Sequence, residues 1–168
     1  MHEIKLRPWV LSDLNDLVQF ANNWNIAQFM SDQFPFPHLE EKGRAFIEFA
    51  NKGNPIHIFA IDLKGQAIGG MGLHPQTDIH KRNAEIGYWL AEPFWGQGIV
   101  SSLIPKLIQF GFEELDINRI FARAFGRNIA SQRVLEKTGF QLEAKFEKTI
   151  FKNGAFEDEL IYGYRKSD

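Results

Sequence analysis

The alternation of apolar and polar positions in EIKLRPW, residues 3–9, has a period of two and predicts an opening strand. Ser12 then precedes LNDLVQFANN, where Leu14, Leu17 and Val18 recur at helical spacing, so a helix with Ser12 as its N-cap is expected. NWNIAQFMSDQFPFPH is aromatic and broken by prolines and reads as a loop, whereas LEEKGRAFIEFANKG reads as a second amphipathic helix. A loop of that composition either plugs the edge of a core or lines a ligand pocket, because exposed Phe and Trp cost solubility.

IHIFAID and QAIGGMGLH predict two strands joined by a tight turn at Gly65, and RNAEIGYWLAE predicts a third after the polar tip HPQTDIHK. This is an antiparallel meander. In QGIVSSLIPKLIQFGFEEL, Ile99, Leu103, Leu107 and Phe110 share one helical face. Pro105 interrupts that run, and a proline inside a helix costs about 3 kcal/mol, so a kink, or tolerance close to the first turns, is expected there. NRIFARAF follows as a strand, NIASQRVLEKTGF as a helix closed by Gly139, and two long strands meet at the KNG turn. The order, one strand, two helices, three strands, helix, strand, helix and two strands, predicts a mixed α/β layer in which one helix crosses between strands.

Composition narrows the classes of function. At 168 residues, with 44% apolar and 24% charged side chains, the chain is expected to form one domain, 1–168, around one core. Its 19 basic and 21 acidic residues leave a net charge of −2, too little field to hold a phosphodiester backbone or an anionic bilayer, so neither nucleic acid nor membrane is an expected partner. The absence of cysteine removes disulfides, thiolate nucleophiles and sulfur-ligated zinc. MHEIKLRPWV fits neither a signal peptide nor a membrane helix, and a soluble cytoplasmic protein is expected. His74, Asp78 and His80 are irregularly spaced on a polar tip, and no metal site is read from them.

EPFWGQGIVSS, residues 92–102, places Gly96 and Gly98 between a predicted strand and a predicted helix. A Walker loop would need Lys followed by Ser or Thr after the second glycine, and the dinucleotide fingerprint would need a glycine where Ser101 stands. Two readings remain: the glycines merely turn the chain, or they let an anion such as a pyrophosphate approach the amides that open a helix.

AEIGYWLAEPFWGQGI, NIASQRVLEKTGF and NGAFEDELIYGYR, taken in order, resemble the GNAT superfamily of N-acetyltransferases, in particular the branch that acetylates the N-termini of ribosomal proteins. The resemblance runs from about residue 4 to residue 165. It implies a mostly antiparallel, twisted sheet of about seven strands with about four helices, in which two parallel strands splay at the cofactor site. It also implies an acetyltransferase that uses acetyl-CoA as cosubstrate, without a metal. The pyrophosphate would meet the amides of Gly96, Gln97, Gly98, Ile99, Val100 and Ser101, the pantetheine arm the backbone at Trp89 and Leu90, and Asn128 would contact the same arm. Trp24, Phe29 and Phe34, with Phe36 and Tyr88, lie where the family builds its acceptor wall. Arg82, Arg119, Arg123, Arg127 and Arg133 are candidates for the cofactor phosphates. The family commonly has Gln or Arg, Gly or Ala, and Tyr where this chain has Trp95, Val100 and Leu135, and the branch often has Glu where it has Ser102.

Without a cysteine or a serine elbow the chain offers no nucleophile for an acyl-enzyme, so direct transfer in a ternary complex is expected. Glu85, set among apolar strand residues, is the candidate base or amine-orienting group, and the backbone from Tyr88 to Leu90 is the candidate for polarising the carbonyl. Ser131 is the candidate proton donor, with capping of its helix as the competing role. The acceptor is expected to be a primary amine, on a protein N-terminus or on a small molecule such as a drug, polyamine or amino acid. A silent acetyl-CoA-binding domain is the alternative, and a homodimer is left open.

Overall fold

The computed structural model describes residues 3–167. Its strands are β1 (Ile4–Pro8), β2 (Ile58–Leu63), β3 (Gln66–Pro75), β4 (Asn83–Leu90), β5 (Arg119–Phe125), β6 (Gln141–Lys152) and β7 (Ala155–Arg165). Its helices are α1 (Leu14–Ala21), α2 (Trp24–Ala27), α3 (Glu40–Ala50), α4 (Ile99–Glu114) and α5 (Ile129–Lys137). The strands form one sheet in the order β1-β2-β3-β4-β5-β7-β6. β1 with β2, β2 with β3, β5 with β7 and β6 with β7 pair antiparallel, while β4 pairs parallel with β5 over Asn83–Glu85 and Arg119–Phe121. The seven strands and the mostly antiparallel α/β architecture expected from the sequence are present.

The chain divides into two compact units, one comprising the residues up to Gly72 with Tyr88–Ile99, the other Leu73–Gly87 with the residues from Val100 onward. In the first unit, Trp9, Leu14, Leu17, Ile47, Ile58 and Trp89 are buried together, with Phe34 and Phe46 packed against them. Full burial of one such side chain stabilises by about 1.5–3 kcal/mol. Arg7 ties β1 to its surroundings: Nε donates to Asp62 at 2.7 Å, and its two terminal nitrogens donate to the two oxygens of Asp13 at 2.7 and 2.8 Å.

That network corrects the expected start of α1. A short 3-10 turn over Leu11–Asp13 comes first, and Asp13, not Ser12, stands at the helix N-cap. The Asp13 carboxylate accepts from the Val10 amide at 2.9 Å as well as from Arg7, and makes no side-chain cap bond to α1. The aromatic loop also holds the extra one-turn helix α2, capped by Asn23, whose side chain accepts from the Asn25 amide at 2.9 Å. Four residues show no helical period, so the sequence pattern missed it.

In the second unit, Leu103, Ile104, Leu107, Ile117 and Ile120 are almost fully buried. α4 runs unbroken through Pro105, which sits in its second turn with an exposed ring. Tyr162 is buried as well, and its hydroxyl donates to Glu136 at 3.0 Å. No helix among the described residues is long and apolar enough to cross a membrane.

Candidate active site

In the first unit, β4 runs out at Leu90 into a 3-10 turn over Glu92–Phe94 and then into the glycine loop. Gly96 and Gly98 both have φ +73°, the left-handed region that strains other residues, so glycine is favoured at both positions. Gly96, Gln97 and Gly98 are exposed, and no atom lies within 4 Å of where a Gly96 Cβ would stand. Ile99 and the residues after it open α4, sixteen residues long, whose dipole places partial positive charge at this end. Exposed glycines, open space and a helix start fit a pyrophosphate.

The strand end before the loop is directional. The Ala91 amide donates to the Ile68 carbonyl of β3 at 2.8 Å. The Leu90 carbonyl belongs to the same trans peptide and therefore points away from β3. It accepts from the Trp95 indole Nε1 at 2.7 Å. The Trp89 carbonyl lies against β3, where a Cβ on Gly69 would stand 2.4 Å from it.

Around this strand end the structure gathers part of the expected acceptor wall. Phe34 makes an edge contact with the Trp89 ring, centroids 5.9 Å apart, and Trp24 packs on Phe36 at 5.3 Å with 36% of its surface exposed. Phe29 and Tyr88 are half-buried. Glu92 accepts from Asn23 at 2.6 Å and from Asn25 at 3.1 Å, so the amides flanking Trp24 grip the turn that leads to the loop. Those bonds hold the Glu92 carboxyl below the usual range, Asn23 having the larger effect.

In the second unit, Glu85 on β4 pairs in register with Phe121 of β5. Burial pushes its carboxyl above the usual carboxylate range, opposed by the charge of Arg123 and reinforced by that of Glu159. Arg123 stands between the two acids, 3.7 Å from Glu85 and 2.8 Å from Glu159, with its guanidinium 5.6 Å from the Phe121 ring centroid. Glu159 also accepts from the Thr149 hydroxyl at 3.3 Å. Sequence reasoning missed Glu159: it lies on β7, 36 residues from its arginine, and no local pattern marks it.

The same unit places Asn128 at the N-cap of α5, where its side chain accepts from the Ser131 amide at 3.3 Å. Capping of this helix therefore belongs to Asn128, and the Ser131 hydroxyl is not the cap. Leu135, at the family's tyrosine position, is 1% exposed and part of the interior. Four of the five candidate arginines are held by carboxylates: Arg82 by Asp116, Arg119 by Glu143, Arg123 by Glu159 and Arg127 by Glu157. Arg133 is exposed. His80 and Asp78 lie in an exposed 3-10 turn, and no group of three or more possible metal ligands occurs among the described residues.

Residues 3–141 match the family described as Acetyltransferase (GNAT) domain. The relative YdaF of Bacillus subtilis (strain 168), provisionally named a ribosomal N-acetyltransferase, is 38% identical over 62% of this chain and 56% of its own. The match thus spans little more than half the length of that relative. The uncharacterized N-acetyltransferase p20 of Bacillus licheniformis is 31% identical over 98% of this chain and 94% of its own. The crystal structure of microcin C7 self immunity acetyltransferase MccE in complex with acetyl-CoA and AMP superposes with a TM-score of 0.83 at 29% identity, covering 98% of this chain and 93% of that one.

Proposed function

The chain belongs to the GNAT acetyltransferase family, and from that membership we propose that it transfers the acetyl group of acetyl-CoA to a primary amine by direct attack, residues 1–168 acting as one acetyltransferase-like domain. The observation that carries the reading is Glu85, a carboxylate whose partial burial raises its affinity for a proton. An amine is mostly protonated at neutral pH, so it attacks a thioester only after a base has removed a proton. Glu85 takes that proton or orients the amine, and backbone amides between Tyr88 and Leu90 polarise the carbonyl. As the carbon–nitrogen bond forms and the carbon–sulfur bond breaks, the Ser131 hydroxyl gives its proton to the leaving thiolate and takes the second proton of the attacking nitrogen, so that an amide, a neutral thiol and an unchanged serine result.

The acetyl-CoA site is formed in this reading by the amides of Gly96, Gln97, Gly98, Ile99, Val100 and Ser101, by the strand at Trp89 and Leu90, and by Asn128. Trp24, Phe29, Phe34 and Tyr88 receive the acceptor. The name of YdaF supports a protein N-terminus as the acceptor. The likeness to MccE, whose crystal structure holds AMP as well as acetyl-CoA, favours a second reading in which the acceptor is a small molecule.

Thiol release from acetyl-CoA with a panel of peptides, polyamines and amino acids separates the two readings. Glu85→Gln is expected to lower turnover on the best acceptor about a hundredfold while leaving acetyl-CoA affinity within twofold. Unchanged turnover in that variant overturns the assignment of Glu85, and acetyl-CoA binding without thiol release for any acceptor overturns the enzymatic reading.

A further inference from the structure

The glycine loop poses a mechanical problem that its neighbours solve. Two glycines at φ +73°, exposed and separated by one residue, lose more backbone entropy on ordering than other residues, so an unanchored loop would bind a pyrophosphate only after that cost was met. Phe94 N donates to Ala91 O at 3.0 Å, Trp95 N to Glu92 O at 3.1 Å, and the Gln97 side chain to Pro93 O at 3.3 Å. All three stay within the turn and the loop. The Trp95 indole, at 2.7 Å from the Leu90 carbonyl, instead joins the loop to β4, which β3 holds in place through the Ala91 amide.

We propose that Trp95 is a positioning residue for the cosubstrate, its indole N–H bonded to the Leu90 carbonyl holding the glycine loop in the conformation that receives the pyrophosphate. This rests on the acetyl-CoA reading given above. A carbonyl oxygen has two lone pairs, so the indole takes one and leaves the other for an amide of the pantetheine arm. Trp95 is 44% exposed and lies outside the buried core, so another aromatic ring at this position keeps contacts while removing the donor. The effect of Trp95 therefore passes through the loop to the phosphates rather than through the acetyl-bearing end.

That distinction sets the test. S-acetylpantetheine carries the same thioester and arm as acetyl-CoA but no pyrophosphate. Trp95→Phe keeps a ring and removes the donor; loss of one such bond is expected to raise KM for acetyl-CoA five- to tenfold, by about 1 kcal/mol. With S-acetylpantetheine as donor, kcat/KM is expected to stay within twofold, and kcat at saturating acetyl-CoA to be preserved. An equal loss with both donors, or no change with either, overturns the proposal. In the unaltered protein the Trp95 indole proton is expected to exchange slowly with solvent, by NMR, both with and without coenzyme A. Exchange as fast as that of an exposed indole also overturns it, whether or not the variant folds. If calorimetry shows that the unaltered chain does not bind acetyl-CoA, the underlying reading fails first, before any variant is made.

Discussion

Glu85, the proposed base, shows how little of a carboxylate's character resides in the group itself. Its proton affinity is set by burial and by two charges of opposite sign, Arg123 and Glu159, contributed by other strands. His74 of β3 faces the same stretch of β4, its Nε2 3.5 Å from where a Gly87 Cβ would stand, and Arg119 nearby is engaged by Glu143 and by Asn83. Glu159→Gln removes a negative neighbour and releases Arg123 toward Glu85, and both changes lower the Glu85 pKa. The acidic limb of the pH profile of kcat/KM is therefore expected to move to lower pH, whereas Arg123→Gln, which removes the stabilising cation, should move it higher. Shifts in the same direction for the two variants would contradict Glu85 as the titrating base. The strand pattern made Glu85 legible as a carboxylate among apolar neighbours, but its tuning pair was hidden because β5 and β7 meet only in the folded sheet.

Among the elements, β1 and the start of α1 depend on one arginine. Arg7 faces two carboxylates whose residues are only 3% and 2% exposed, Asp13 and Asp62. Burial alone would push the Asp62 carboxyl up; hydrogen bonds from Arg7 and the Gly65 amide, with the charges of Arg7 and Lys5, outweigh it and hold it below the usual range. Removing the cation leaves two buried charges uncompensated, so Arg7→Met is expected to cost about 3–5 kcal/mol, read from urea denaturation followed by circular dichroism. A loss below about 1 kcal/mol would show that solvent reaches the site and screens it. The elements themselves were mostly legible: β2, β3, β6, β7 and α5 lie where alternation, helical period and the KNG and Gly139 signals placed them. The exceptions are the start of α1, where Asp13 is turned toward Arg7 and the Val10 amide, and the one-turn α2, too short to show a period.

At the scale of the whole molecule, the pH dependence of stability follows from groups whose pKa changes on folding. Burial pushes the His38 imidazole below its usual value of 6.5, against a smaller upward pull from the Leu39 backbone. A depressed folded pKa means that the unfolded chain binds the proton first, so this contribution is intact above pH 6.5 and is lost as pH falls through the folded value. Asp62, depressed from 3.8, adds a second loss below that pH. Glu85, raised on folding, works the other way, its contribution declining as pH rises through the carboxylate range. The urea midpoint of the unaltered protein is expected to fall between pH 7 and pH 5, and His38→Gln to flatten that fall. An equally steep fall in the variant would assign it to other groups.

By itself the sequence determined the alternation and periods of the main elements, their order, the glycines at 96 and 98, and the ordered motifs that point to an acetyltransferase. These are properties of neighbouring residues, where steric freedom and amphipathic period act over a few positions. The folded structure alone decided which charges meet Glu85, that the Trp95 indole bonds to the Leu90 carbonyl, that Asn128 rather than Ser131 caps α5, and that four arginines expected near phosphates are engaged by carboxylates. Most of those partners lie on other elements, and an ion pair or indole hydrogen bond depends on distance and direction across several ångströms, which no local spacing encodes.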